Sequence, residues 1–365
     1  MGYKKYELPR YPVTEDMWDR IAADPRPIAV YGMGNGADKL FDRLEKYGVS
    51  VSDVFASDGF VRGHSYRGYK VRSLSDVIAE RTEVLILVSF ASHRPEVVEM
   101  ISALNDKYSV LIPDMPVAGQ EYFDKDFYNS NYETICAVYS MLADEDSKNA
   151  YAAIINYKLY GKFEYLEGCF SEVSEIYDLL PADISVSVDA GAYNGDTVRE
   201  LFSYRPQVKR TYAIEPDTRN FKKLSGFVEK ENLGRSVIPI NAAVWNFDGS
   251  GGFSGSGNRN SSVSSTVSYE SRAENTALVR IDTVVKESVD YIKYDVEGAE
   301  EEAIFGSDAL ITTSKPGLLI SAYHRSRDIF YLPELVKRLY PFYSLYIRRT
   351  MCFPAWEIAL IAIDN

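Results

Sequence analysis

Of 365 residues, only three are cysteine (Cys136, Cys169 and Cys352) and only three are histidine. Cysteines this few and this scattered exclude a disulfide framework and the paired spacing of a zinc site, and they point to a reducing cytoplasm. Positive charge is short as well. The 40 Lys and Arg against 53 Asp and Glu leave a formal net charge of -13, which argues against a surface built to neutralise nucleic-acid phosphates or anionic lipid. No apolar run approaches the roughly 18 to 20 residues that a membrane-crossing helix needs, and the opening MGYKKYELPR lacks the apolar stretch of a signal peptide. The expectation is a cytoplasmic protein with no membrane insertion and no nucleic-acid partner. What is abundant is apolar content, 46%, enough at this length for two or three buried cores.

The first unit begins IAVYGMGNGADKLFDRLEKYGVSVSDVFASD. An apolar strand from Ile28 to Tyr31 runs into Gly32, Gly34 and Ala37. A helix follows with Leu40, Phe41 and Leu44 at helical spacing, then a second strand ending at Asp58. EVLILVSF and YSVLIPD supply further strands around a helix near Leu74 to Ala79. Residues 1–115 therefore read as a small parallel, Rossmann-like α/β domain. Residues 116–180 turn to aromatic and acidic residues at helical spacing and read as a helical connector, its tyrosine stripe packing against a neighbouring domain. Residues 181–365 resume the strand and helix alternation and close with FYSLYIRR and WEIALIAID, an antiparallel hairpin on the edge of an otherwise parallel sheet. The Gly, Ser and Asn tract from Asn246 to Ser265 cannot bury a core and reads as a mobile surface loop.

Chemistry concentrates in the last unit. In SVSVDAGAYNGDTVREL, Asp189 terminates a strand, Gly191 and Gly195 let the backbone turn tightly beside a ligand, and Asp196 and Thr197 open the next helix. The next strand ends at Glu215 and Pro216, where a carboxylate can accept hydrogen bonds from both hydroxyls of a ribose. Ala242 and Ala243 are small enough for an adenine to lie flat near the backbone. Asp295 stands at a further strand end, with Glu297 just past it. Carboxylates at three strand ends, with no lysine to grip a phosphate, describe a ligand with a ribose and a cationic group. S-adenosylmethionine has that make-up.

The stretches VDAGAYNGDT, AIEPDTRNFKKL, NAAVW, RIDTVV, YIKYDVEGAEEEAIFG and LLISAYHRSRDIFYLPELV, in that order, resemble the FkbM family of S-adenosylmethionine-dependent methyltransferases. The resemblance implies an α/β fold: a seven-stranded class I methyltransferase domain preceded by the smaller Rossmann-like domain and the connector. It also implies O-methylation of a hydroxyl on a sugar, polysaccharide precursor or secondary metabolite. The expected cofactor set is Asp189, Gly191, Ala192, Gly195, Asp196, Thr197, Glu215, Pro216, Ala242, Ala243 and Asp295.

An alcohol becomes a competent nucleophile when a base takes its proton in line with the methyl group. His324, after the fifth strand, is the first candidate, with Asp295 and Glu297 as alternatives; His64 and His93 lie in the other domain and read as ordinary polar residues. Asp295, Glu297 and Glu300 could together hold a divalent ion, but acidic residues also suit a helix amino end, and no metal ligand is assigned. GMGNGA with Asp58 fits the dinucleotide fingerprint and reads as a structural or substrate-presenting turn, with binding of a nucleotide or nucleotide sugar as the alternative. The competing readings are a non-catalytic nucleotide- or sugar-binding protein that keeps the fold, and a nicotinamide-dependent oxidoreductase, for which no Tyr and Lys catalytic pair lies near that turn.

Overall fold

A computed structural model describes residues 4–61, 63–80, 83–254, 262–264 and 274–364. In the amino-terminal part, β1 (Ile28–Tyr31), β2 (Asp53–Ala56), β3 (Arg72–Ser73), β4 (Leu85–Val88) and β5 (Ser109–Leu111) form a wholly parallel sheet in the order β3-β2-β1-β4-β5. β1, β2 and β4 are buried along their whole length, as strands covered on both faces must be. β2 stops at Ala56, and Asp58 belongs to the short turn after it. The glycines after β1 have a packing reason. A Cβ on Gly32 (φ +119°) would lie 2.6 Å from the Ser89 hydroxyl, and one on Gly36 2.3 Å from the Ser89 carbonyl.

The carboxy-terminal sheet has seven strands: β6 (Val186–Ala190), β7 (Arg210–Ile214), β8 (Val237–Ile240), β9 (Tyr291–Tyr294), β10 (Gly317–Ser321), β11 (Tyr343–Arg349) and β12 (Ile358–Asp364). Their order is β8-β7-β6-β9-β10-β12-β11, with β12 antiparallel to both neighbours and the rest parallel. From β6 the chain first builds outward through β7 and β8, then crosses to β9 and β10. The reversal leaves a crevice beyond the carboxyl ends of β6 and β9. Its floor demands glycine: a Cβ on Gly191 (φ +88°) would sit 1.9 Å from the Asp295 carbonyl oxygen.

Between the sheets runs the helix Glu145–Tyr160, capped by Asp144 and by Gly161 in the left-handed conformation. Tyr151, Ile154, Ile155 and Tyr157 are fully buried, in one apolar cluster with residues of both sheets. The Tyr157 hydroxyl donates to the Ile112 carbonyl (2.8 Å) on one side, and the Ile347 N–H donates to Ser147 Oγ (3.0 Å) on the other. Within this dry layer Lys158 pairs with Asp114 at 2.7 Å.

The glycine and serine tract departs from the loop expectation. Gly249–Ser254 pairs antiparallel with Glu274–Val279, which also lies beside Ala243–Val244 in a small separate sheet. Strand pairing uses backbone groups, so a shortage of apolar side chains did not prevent it. Residues 255–261 and 265 of that tract lie outside the described residues. Among the described residues no helix is long and apolar enough to cross a membrane.

Candidate active site

The crevice holds a cavity of ≈ 170 Å³. The turn and helix after β6 contribute Gly191, Tyr193, Asp196 and Thr197, and the end of β7 contributes Ile214, Glu215 and Pro216. Ala242 and Ala243 form one wall, while Asp295, Glu297, Tyr323 and His324 come from beyond β9 and β10. The structure thus brings together Gly191, Asp196, Thr197, Glu215, Pro216, Ala242, Ala243, Asp295, Glu297 and His324.

Three expected residues do not line it. Asp189 stands inside β6, buried, where it accepts a hydrogen bond from Thr197 Oγ1 and lies 3.4 Å from Lys293 Nζ. Ala192 is buried in an apolar cluster with Val198, Ala213 and Leu224. Gly195 caps the next helix, and its missing side chain makes room for the Phe227 ring, 2.4 Å from where a Cβ would be. Asp189 is one residue short of the strand's end, where it pairs with its neighbours in the sheet, while Ala192 and Gly195 shape the turn that follows.

The two ends differ in electrostatics. Glu215, 6% exposed, accepts N–H bonds from Tyr193 (2.9 Å, Oε2) and Asp217 (2.8 Å, Oε1). Burial pushes its carboxyl up to about 7, and the nearby charges of Asp217 and Asp189 add to that rise against the two N–H bonds. Among the described residues no Lys or Arg pairs with it. At the other end His324 is 1% exposed, with Nδ1 2.9 Å from Glu300 Oε1 and Nε2 3.4 Å from Asp295 and 3.6 Å from Glu297. Burial alone would lower its pKa, but Glu300, Asp295 and Glu297 outweigh burial and push it up to about 10. Three carboxylates around the ring thus favour the imidazolium, whereas the expected role as general base requires the neutral ring.

Asp295 is balanced by two cations. Burial would raise its carboxyl, yet Lys293 (3.4 Å) and His324 hold it below the ordinary range. Lys293 lies between Asp189 and Asp295, and the sequence reading passed over it. The signal was present: a lysine in a run as apolar as YIKY, destined for burial in a parallel sheet, needs a carboxylate partner. Glu300 was read as a helix-opening charge; it is also buried, and its Oε1 accepts from the Val296 N–H (3.0 Å). The backbone there is constrained, with Glu297 at φ +56° and Gly298 at +98°. Val117, Trp356 and Glu357 also line the cavity. They are far from the motifs in sequence, and no local pattern marks them.

A seven-stranded sheet of this order, with a crevice at its switch point, is a class I methyltransferase fold. Residues 189–342 match the methyltransferase FkbM domain. The crystal structure of methyltransferase FkbM from Methylobacillus flagellatus KT is similar at TM-score 0.70 and 18% identity, over 98% of this chain and 94% of that one. Over about half of this chain, two further structures align. Precorrin-6y C5,15-methyltransferase from Geobacter metallireducens GS-15 has TM-score 0.35 and 13% identity, covering 53% of this chain and 87% of that one. TrmK from M. capricolum, in complex with S-adenosyl-homocysteine, has TM-score 0.33 and 12% identity, covering 53% and 67%. No curated protein matches the sequence.

Proposed function

We propose that this methyltransferase takes its methyl group from S-adenosylmethionine and places it on a hydroxyl oxygen of a small-molecule or carbohydrate acceptor. The observation that supports this most directly is Glu215, a buried carboxylate at the end of β7 that no Lys or Arg among the described residues pairs with. Each of its oxygens keeps acceptor capacity beyond the one N–H bond it receives, which suits the two hydroxyls of a ribose. Ala242 and Ala243 leave an apolar wall for a purine. Asp196, Glu215, Asp295, Glu297 and Glu357 line the cavity and outnumber the one cationic side chain there, His324, a setting that favours a cation.

When bound, S-adenosylmethionine supplies a methyl carbon whose bond to sulfur breaks, with the electron pair staying on sulfur, as its bond to the acceptor oxygen forms. The chain's part is to hold the acceptor hydroxyl and take its proton. Asp295 is a weak proton acceptor, because Lys293 and His324 stabilise its ionised form. Glu297 lines the same end of the cavity, and we assign the proton to it, with the His324 imidazolium orienting the carboxylates.

Calorimetric titration of the full chain with S-adenosylmethionine, S-adenosylhomocysteine and NAD, each alone, tests this reading. The first two should bind and NAD should not. Glu215→Ala should weaken S-adenosylhomocysteine by about 1.5 to 3 kcal/mol, the scale of hydrogen bonds to a charged group. Unchanged affinity in the folded variant would place the ribose elsewhere.

A further inference from the structure

A second cavity, of ≈ 70 Å³, opens at the carboxyl ends of β1 and β4, where the amino-terminal sheet reverses its order. Asn35 and Lys39, on the helix after β1, and Ser89 and Phe90, just past β4, line it from the amino-terminal domain, and Pro354 and Trp356 from the other domain. Val117 and Trp356 line both this cavity and the acidic one, so the two spaces adjoin at these residues. The segments that carry them are tied across the two domains. The Ala118 N–H donates to the His324 carbonyl (2.8 Å), and Ser92 and Phe353 exchange backbone hydrogen bonds of 2.8 and 3.0 Å. The indole N–H of Trp356 is buried with no hydrogen-bond partner, although a buried tryptophan donor normally finds one.

Charge distinguishes the two spaces. The acidic cavity is lined by the five carboxylates named above against one cation, His324, whereas the second has no carboxylate in its lining and one ammonium, Lys39. Lys39 Nζ donates to the carbonyls of Pro116 (2.6 Å) and Val117 (3.2 Å). An ammonium has three donors, so one N–H remains. Among the described residues no carboxylate pairs with it, and burial lowers its pKa.

We propose that the methyl acceptor is a hydroxyl-bearing organic anion that spans both cavities, with its hydroxyl at Glu297 and His324, its body along Trp356, and its phosphate or carboxylate on Lys39. The five carboxylates repel the anionic end, and the ammonium holds it, so charge decides which end of the acceptor faces the methyl donor. This inference rests on the methyltransferase reading. It gives the amino-terminal domain a share in acceptor selection.

The test titrates the full chain, saturated with S-adenosylhomocysteine, with glucose 1-phosphate, glucuronate and glucose. The expected result is that an anionic probe binds at least tenfold more tightly than glucose, and the tighter of the two anions identifies phosphate or carboxylate. Lys39→Gln keeps an amide donor for the loop carbonyls and should weaken the anion at least tenfold, Lys39→Arg should restore it, and S-adenosylhomocysteine affinity should not move in either. Glucose binding as well as its phosphate, no probe binding, or full anion affinity in Lys39→Gln overturns the two-cavity acceptor alone. Failure of S-adenosylhomocysteine to bind the unaltered protein overturns the methyltransferase reading beneath it.

Discussion

Lowering the pH from 8 to 5 should loosen the cofactor product, and Glu215 is the reason. Its carboxyl titrates near 7 because it is buried, with the charges of Asp217 and Asp189 nearby. The rise from 4.5 to about 7 corresponds to on the order of 3 kcal/mol at 1.36 kcal/mol per pKa decade. Between those two values the folded protein binds a proton that the unfolded chain has released, so the stability of the ligand-free protein falls as pH rises through that window. Ribose hydroxyls donate to the ionised form and pull the pKa back down. Ligand affinity therefore falls as pH drops through 7. Hydrogen bonds to a charged acceptor exceed neutral ones by about 1 kcal/mol each, and two of them set a ceiling of about thirtyfold. We expect S-adenosylhomocysteine to bind about tenfold more weakly at pH 6 than at pH 8, levelling off near pH 5, by calorimetry at each pH. Asp328, which burial and Glu300 also push up to about 7, makes a control necessary. Glu215→Gln should bind weakly at every pH with no slope, and should raise the unfolding free energy at pH 8 when ligand-free. A slope that survives in Glu215→Gln, or a flat wild-type profile, refutes the reasoning.

Other expectations follow from the same geometry. His324→Ala removes the cation that faces Asp295, Glu297 and Glu300 and should slow methyl transfer by up to about a hundredfold, the cost of a misplaced catalytic group, while leaving S-adenosylhomocysteine affinity nearly intact. The wild-type rate should lack the acidic limb near 6.5 that a neutral-histidine base would show, and should instead fall at alkaline pH as His324 loses its proton near 10; a limb at 6.5 that vanishes in the variant would return the base role to the imidazole. Lys293→Met leaves Asp189 and Asp295 without the cation between them and should cost about 3 to 5 kcal/mol in denaturant unfolding. A loss below about 1 kcal/mol would mean that water already shields those carboxylates. Gly191→Ala must displace the Asp295 carbonyl and should abolish cofactor binding or folding. Gly34→Ala, where a Cβ meets nothing within 4 Å, should leave cofactor affinity unchanged; a loss there would tie the first glycine turn to the cofactor after all.

The strands themselves and the cavity's acidic rim were legible because they depend on local pattern. Apolar runs ending in Asp or Glu announce strands and their carboxyl edges, and Glu215 and Asp295 lie where those edges put them. What was not legible depends on side-chain pairing across strands. Asp189 and Lys293 sit opposite each other in the β6 and β9 register, over a hundred positions apart in the chain, and that pairing turns Asp189 from a rim residue into a supporting one. The charge state of His324 is of the same kind. A lone histidine in SAYHRSRD gives no hint that Glu300, Asp295 and Glu297 converge on it. Val117 and Trp356 reach the cavity only because the connector loop and the hairpin close over it.

The buried helix Glu145–Tyr160 separates the unit that is recognisable from the unit that can stand alone. The family match opens at Asp189 and closes at Phe342, leaving out this helix and both strands of the terminal hairpin. A fragment trimmed to that match would lose the partner strand of β10 and bare an apolar face that Tyr151, Ile154 and Ile155 now share with both sheets. Anyone seeking to exchange acceptor preference between relatives by swapping the recognised segment would inherit a catalytic crevice without one of its walls. The exchangeable part runs from the amino-terminal sheet through the hairpin, and the heritable motif is smaller than the object that folds.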